Sequence, residues 1–159
     1  MFERFAQSAR TAVEDAKYEA ERRGDRRIGT DHLLLALLQD HELARIVGID
    51  ASAASDAAER LDRDALAAVG LTFGDLGPAG GPTPVRRAVM MTSGAKAVLQ
   101  HALAGAAAEK ARTITTRHMM LALLARSEPD PAATLLAALP VHREQLRERL
   151  ATPVEQPPR

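Results

Sequence analysis

Ile28-Gly29-Thr30-Asp31-His32-Leu33-Leu34-Leu35-Ala36-Leu37-Leu38 returns 86 residues later as Ile114-Thr115-Thr116-Arg117-His118-Met119-Met120-Leu121-Ala122-Leu123-Leu124. Extended outward in the same register, residues 6–38 align without a gap on 92–124, with 11 of 33 positions identical. Ala9/Ala95, Ala16/Ala102, Ala20/Ala106 and Arg26/Arg112 are among the identities, and Arg10/Lys96, Val13/Leu99 and Leu34/Met120 are near matches. Alanine-rich helices share alanines by chance, but a repeated Ile-x-Thr-x-His followed by Leu-Ala-Leu-Leu is not an alanine effect. The chain reads as a duplicated helical unit.

Within the first copy, Phe2, Phe5, Ala9, Ala12, Val13, Ala16 and Ala20 fall at three- and four-residue spacings, which predicts one apolar stripe on a helix that Gly24 ends. Thr30 is expected to cap the next helix ahead of Leu33, Leu34, Leu37 and Leu38. A short third helix over 43–47 closes at Gly48, and Asp50 caps a fourth through Ala54, Ala57, Ala58 and Leu61. The second copy repeats the plan: Thr92 or Ser93 opens a long helix to about Ala111, Thr116 caps the next, Asp130 and Pro131 open the third, and 142–150 is the last. The long helix carries no charged side chain between Lys96 and Glu109, so either both its faces are covered within the bundle, the favoured expectation, or an alanine-lined face is available to a partner helix. No segment shows period-two alternation, so the fold is expected to be all-α: two pseudo-symmetric four-helix repeats in an eight-helix bundle. The first repeat spans 1–69 and the second 88–150, joined by a Gly/Pro-rich linker at 70–87 and followed by a disordered tail at 151–159.

Composition narrows the function. With 159 residues, 46% hydrophobic and 26% charged, the chain is an ordinary soluble domain, and zero cysteines exclude disulfides, thiol chemistry and Cys-ligated zinc. No apolar stretch is long enough to span a bilayer or to serve as a signal-peptide core, so a cytoplasmic protein without membrane partners is expected. Four aromatic residues and zero formal net charge argue against nucleic acid, because neither base stacking nor counterion release has a basis. The halves differ in sign: residues 1–69 hold 10 basic and 14 acidic side chains, residues 70–159 hold 11 and 7. That polarity suits two halves attracting one another, or a bipolar surface for a partner.

The duplicated motif, with the opening Met1-Phe2-Glu3-Arg4-Phe5, closely resembles the Clp N-terminal (Clp R) repeat domain found at the front of ClpC-type and ClpA-type AAA+ unfoldases. The resemblance covers residues 1–150. It implies an eight-helix Clp N-domain bundle that docks adaptor and substrate proteins or peptides for ATP-dependent proteolysis, with Clp unfoldase or protease components as partners. The sequence nowhere offers Gly-x-x-x-x-Gly-Lys-Ser/Thr, so no ATP-phosphate cradle is expected within it, and the chain is expected to be either a stand-alone Clp-like module, unable to unfold proteins by itself, or an excised N-domain.

The resemblance also implies candidate sites. In ClpC-type relatives the acid of Thr-Glu-His is implicated in recognising phosphoarginine, since a carboxylate can hold a guanidinium in bidentate fashion. Asp31 beside Thr30 keeps that acid, whereas Arg117 beside Thr116 inverts it and would favour a phosphate or carboxylate. Read from the residues alone, Asp31 is a favourable acid in a first helical turn and Arg117 a solvated or Asp31-facing cation. The family's groove between its two first helices, used by partners and by cyclic-peptide antibiotics, maps onto Phe2, Arg10 and Val13 on one side and Met91, Lys96, Leu99 and Gln100 on the other. Met91 and Gln100 stand where relatives commonly have Phe and Glu. A scavenger of such cyclic peptides is the competing reading. His32 and His118 lack partners at metal-ligand spacing and are expected to be structural, bonded to backbone near a helix start. No catalytic, cofactor or metal constellation is found, so the chain is not expected to be an enzyme.

Overall fold

In the computed structural model, residues 2–72 and 90–151 are described, and of Phe2 only the backbone. Of the linker expected over 70–87 only 70–72 are described, and of the disordered tail expected over 151–159 only Ala151, which is the last residue of the final helix; the rest of both segments lies outside the described residues. A 3-10 turn, Phe2–Arg4, leads into α1 (Gln7–Arg22), β1 (Arg27–Ile28), α2 (Thr30–Leu37), α3 (His41–Val47) and α4 (Ala51–Ala68). The second half runs β2 (Met90–Met91), α5 (Ser93–Ala108), α6 (Thr116–Leu124), α7 (Pro131–Ala138) and α8 (Arg143–Ala151). The all-α expectation holds.

Local chemistry explains most boundaries. The Asp40 carboxylate accepts from the amides of Glu42 and Leu43, Asp50 from Ala53, Asp130 from Ala132 and Ala133, and the Thr92 hydroxyl from Ala95. Gly24 and Gly48 turn with φ of +75° and +82°, which a side chain would resist. α2 and α6 are apolar almost all round and lie at the centre. The alanine stripe of α1 (Ala9, Ala12, Ala16, Ala20) lets α2 approach closely, and Ala95, Ala102 and Ala106 of α5 do the same for α6.

Three expectations are corrected. Phe2 and Phe5 do not extend the α1 stripe: Phe2 lies in the 3-10 turn, and Phe5 forms a parallel bridge with Ile114. The helix of 93–108 is covered on one face only, leaving Gln100, Leu103, Ala104, Ala107 and Ala108 exposed. Neither Thr30 nor Thr116 is an N-cap; each sits one residue inside its helix, behind Gly29 and Thr115.

The displaced threonines and the small strands share one cause, which is reciprocity between the repeats. Ala6 donates its amide to the Ile114 carbonyl at 2.9 Å, and Thr92, which is Ala6 in the other copy, donates to Ile28 at 2.9 Å. β1 and β2 are likewise parallel, Ile28 opposite Met91. The Thr30 hydroxyl donates to Asp130 at 2.7 Å while accepting from the Ala132 amide at 3.1 Å; Thr116 donates to Asp40 at 3.3 Å. Each copy lends its leading strand and its third-helix aspartate to the other. This exchange is a pseudo-twofold relation written in hydrogen bonds.

Candidate functional site: the two histidine motifs and their flanks

The motif histidines are buried, at 3% and 4% exposure. His32 Nδ1 accepts from the Gly29 amide at 2.8 Å and Nε2 faces Asp25 Oδ2 at 2.8 Å. His118 Nδ1 accepts from Thr115 at 3.0 Å and Nε2 faces Glu109 Oε2 at 2.9 Å. An Nδ1 that accepts leaves the proton on Nε2, which donates to the carboxylate. Both rings therefore close the N-terminus of a helix from inside, as the sequence led us to expect, and neither is free to act as a base. No group of three or more metal-ligating side chains occurs among the described residues.

Beside each histidine stands a residue pair of opposite polarity. Asp31 lies in the first turn of α2, its Oδ2 3.5 Å from Nη1 of Arg23, the residue that caps the end of α1. Arg23 in turn reaches Asp62 of α4. In the second copy the signs are exchanged: Arg117 lies in the first turn of α6 and pairs with Glu109, the cap of α5. Arg117 also donates to the Leu150 carbonyl at 2.8 Å, closing the end of α8. Arg23 and Glu109 occupy the same place 86 residues apart, as do Asp31 and Arg117. The Glu109 carboxyl is held below its ordinary value of 4.5, chiefly by the hydrogen bond from Arg117; burial opposes this, and the His118 bond adds to it.

The expected residues therefore fall into distinct settings. Arg117 is neither solvated nor turned to Asp31, because Glu109 and Leu150 hold it. Thr30 and Thr116 are buried, at 1% and 8% exposure, with hydroxyls engaged across the repeat seam. Asp31 is half-buried and approaches Gly29 so closely that a Cβ there would lie 2.6 Å from its Oδ1. Thr115 is admitted at the matching place where no such carboxylate follows. Of the groove residues, Arg10, Lys96 and Gln100 are exposed, Val13 and Met91 half-buried, and Leu99 is a core residue. Arg10 reaches the Glu3 carbonyl at 3.4 Å. The position of Phe2's side chain lies outside the described residues.

Sequence reasoning passed over Arg23 and Glu109. The signal was present in the aligned copies, where the residue eight before... Asp31 and Arg117 changes sign together with them.

Known proteins place this geometry. The N-terminal domain of the caseinolytic-protease-associated chaperone ClpD from Arabidopsis thaliana is similar at 20% identity and a TM-score of 0.69, covering 95% of this chain and 97% of that one. A structure described as part of a malarial protein secretion system is similar at 16% identity and a TM-score of 0.65, covering 93% and 92%. No curated protein sequence matches. The profile of the Clp repeat (R) N-terminal domain family matches residues 4–69 and 90–159, one match on each copy of the duplicated unit. With both repeats matched, and with their histidine motifs set at equivalent helix starts, the chain belongs to the Clp repeat N-terminal domain family.

Proposed function

We propose that the chain is a cytoplasmic, non-enzymatic interaction module that docks substrate or adaptor proteins for Clp-dependent proteolysis. The observation that carries this reading is the two-repeat Clp fold, in which the buried histidines and threonines of the two motifs hold helix starts and the repeat seam. Binding surface remains on the outer faces of α1 and α5, with Asp31 at the start of α2 half-buried beside them.

Phosphoarginine on a client peptide is the polar ligand this reading favours, and Asp31 is its contact. A guanidinium beside that carboxylate is already within the molecule's repertoire, since Arg23 takes the position now. Arg23 is therefore an internal competitor. Calorimetry with a phosphoarginine peptide should show binding that Asp31→Ala abolishes and Arg23→Ala strengthens severalfold. Undiminished affinity in Asp31→Ala would remove this site. Failure of the purified chain to retain any Clp component or unfolded client in pull-downs would remove the docking function.

A further inference from the structure

Only the first half of α4 is seated in the core. Ala54, Ala57 and Ala58 are buried, whereas from Glu59 to Ala68 no side chain is buried, and only Leu61 and Leu66 are half-buried. An open cleft separates α4 from the end of α1, with Glu19, Arg22 and Arg23 on one wall and Ser55, Glu59 and Asp62 on the other. Arg23 crosses it to Asp62, the only side-chain hydrogen bond or ion pair between residues 59–68 and another element among the described residues. Glu59 adds a weaker attraction to Arg22. A helical stretch of about ten residues has little stability of its own, so this bridge bears on how firmly the second half of α4 is held.

The same guanidinium is the neighbour of Asp31. Its Nη2 goes to Asp62, while Nη1, buried and without a hydrogen bond, lies 3.5 Å from Asp31 Oδ2. The Arg23 side chain is only 15% exposed, so burial works against its charge and the carboxylates of Asp62 and Asp31 offset that penalty. With the charge of Asp31 cancelled, Nη1 becomes a buried cationic donor that faces no anion, a state that favours turning the side chain out to water. The second repeat makes the same connection with other groups. Arg117, paired with Glu109 at the end of α5, donates to the Leu150 carbonyl in the last turn of α8. In both copies the charge pair beside the motif histidine fastens the fourth helix of its own repeat, and in the first copy that pair includes Asp31.

We propose that Arg23 is a tether through which Asp31 governs the docking of α4: a ligand guanidinium that takes the Asp31 carboxylate releases Arg23 and loosens the second half of α4. The inference rests on the reading of Asp31 as a guanidinium contact and concerns the regulation of that same site. A guanidinium seated there cancels the charge that holds Nη1 and sets a like charge beside it, so Arg23 leaves its buried place and its fixed span to Asp62 is lost. Linkage makes the effect reciprocal. Asp62 pins Arg23 beside Asp31, so a change at Asp62, on a different helix from the ligand contact, alters affinity at Asp31.

Hydrogen exchange on the full chain reads the tether without any ligand. Arg23→Gln and Asp31→Asn should each speed exchange of the amides of residues 63–68 severalfold, and the double variant should go no further, because both act through one link. The amides of α5 should keep their rates, which shows that the bundle remains folded. Asp64→Asn, which removes an exposed charge from the same stretch of α4, should change nothing. Calorimetry with a phosphoarginine peptide reads the coupling: Asp62→Asn should tighten binding severalfold, by less than Arg23→Ala, and saturating peptide should speed exchange at 63–68 in the wild type. Unchanged exchange in Arg23→Gln, or additive effects in the double variant, overturns the tether whatever the peptide does. A peptide that binds through Asp31 with equal affinity in wild type and Asp62→Asn overturns the coupling and leaves the binding site standing. A peptide that does not bind removes the site and its control by ligand together, while the exchange rates of the unliganded variants still decide the tether.

Discussion

At the scale of single residues, the inverted pairs Arg23–Asp31 and Glu109–Arg117 define what each motif costs to change. Removing Arg117 leaves Glu109 with the His118 bond alone and opens the end of α8, and Arg117→Leu should lose about 1–2 kcal/mol at neutral pH. The pH dependence has a definite sign. The folded-state carboxyl of Glu109 lies below its ordinary 4.5, so its stabilisation is full above that value and is lost as pH falls through the lowered one. Urea midpoints of wild type and Arg117→Leu should therefore converge between pH 7 and pH 3, without meeting, because the Leu150 carbonyl bond does not titrate. A gap independent of pH would show that Glu109 contributes nothing. These pairs also mark a limit of sequence reading. A first-turn acid at 31 and a cation at 117 were legible, but which side chain each would meet depended on how the caps of α1 and α5 fold back.

At the scale of elements, the second copy keeps the geometry of the first with poorer residues. Lys110 stands where Gly24 stands in the first repeat and is held at φ +56°, a left-handed conformation that a side chain opposes. Lys110→Gly should raise stability by about 0.5–1 kcal/mol, seen as a higher melting temperature, whereas Gly24→Ala should lower it. Helix starts at Asp50, Thr92 and Asp130 were legible because a capping side chain acts on amides two or three residues away, whereas the third helix, expected from 43, starts at His41 behind Asp40. The starts of α2 and α6 were misplaced by one residue for a related reason. There the histidine ring takes over the capping bond, and the threonine hydroxyl is drawn to the opposite repeat, a partner about 100 or 76 positions distant that no local pattern reveals. The strands were missed because two residues cannot display an alternation.

At the scale of the whole molecule, the duplication visible at a spacing of 86 residues foretold the architecture, but not the exchange that joins the halves. α2 packs on α5, α6 and α7, and α1 on α6, so the two repeats share one core. Cutting the chain once between residues 73 and 89 should leave the fragments associated through gel filtration in native buffer, and each fragment purified alone should lose its cooperative thermal transition. Fragments that separate and melt cooperatively would show two independent domains. The net negative first half and net positive second half add a long-range attraction to that association. The lending of leading strands has a temporal corollary during synthesis. Ile28 waits for Thr92, some 64 residues further along, so at the usual 5–20 residues per second the nascent first half spends about 3–13 seconds with its edge open. Maturation is thus a late, joint event, and neither half is finished until the ribosome has delivered both.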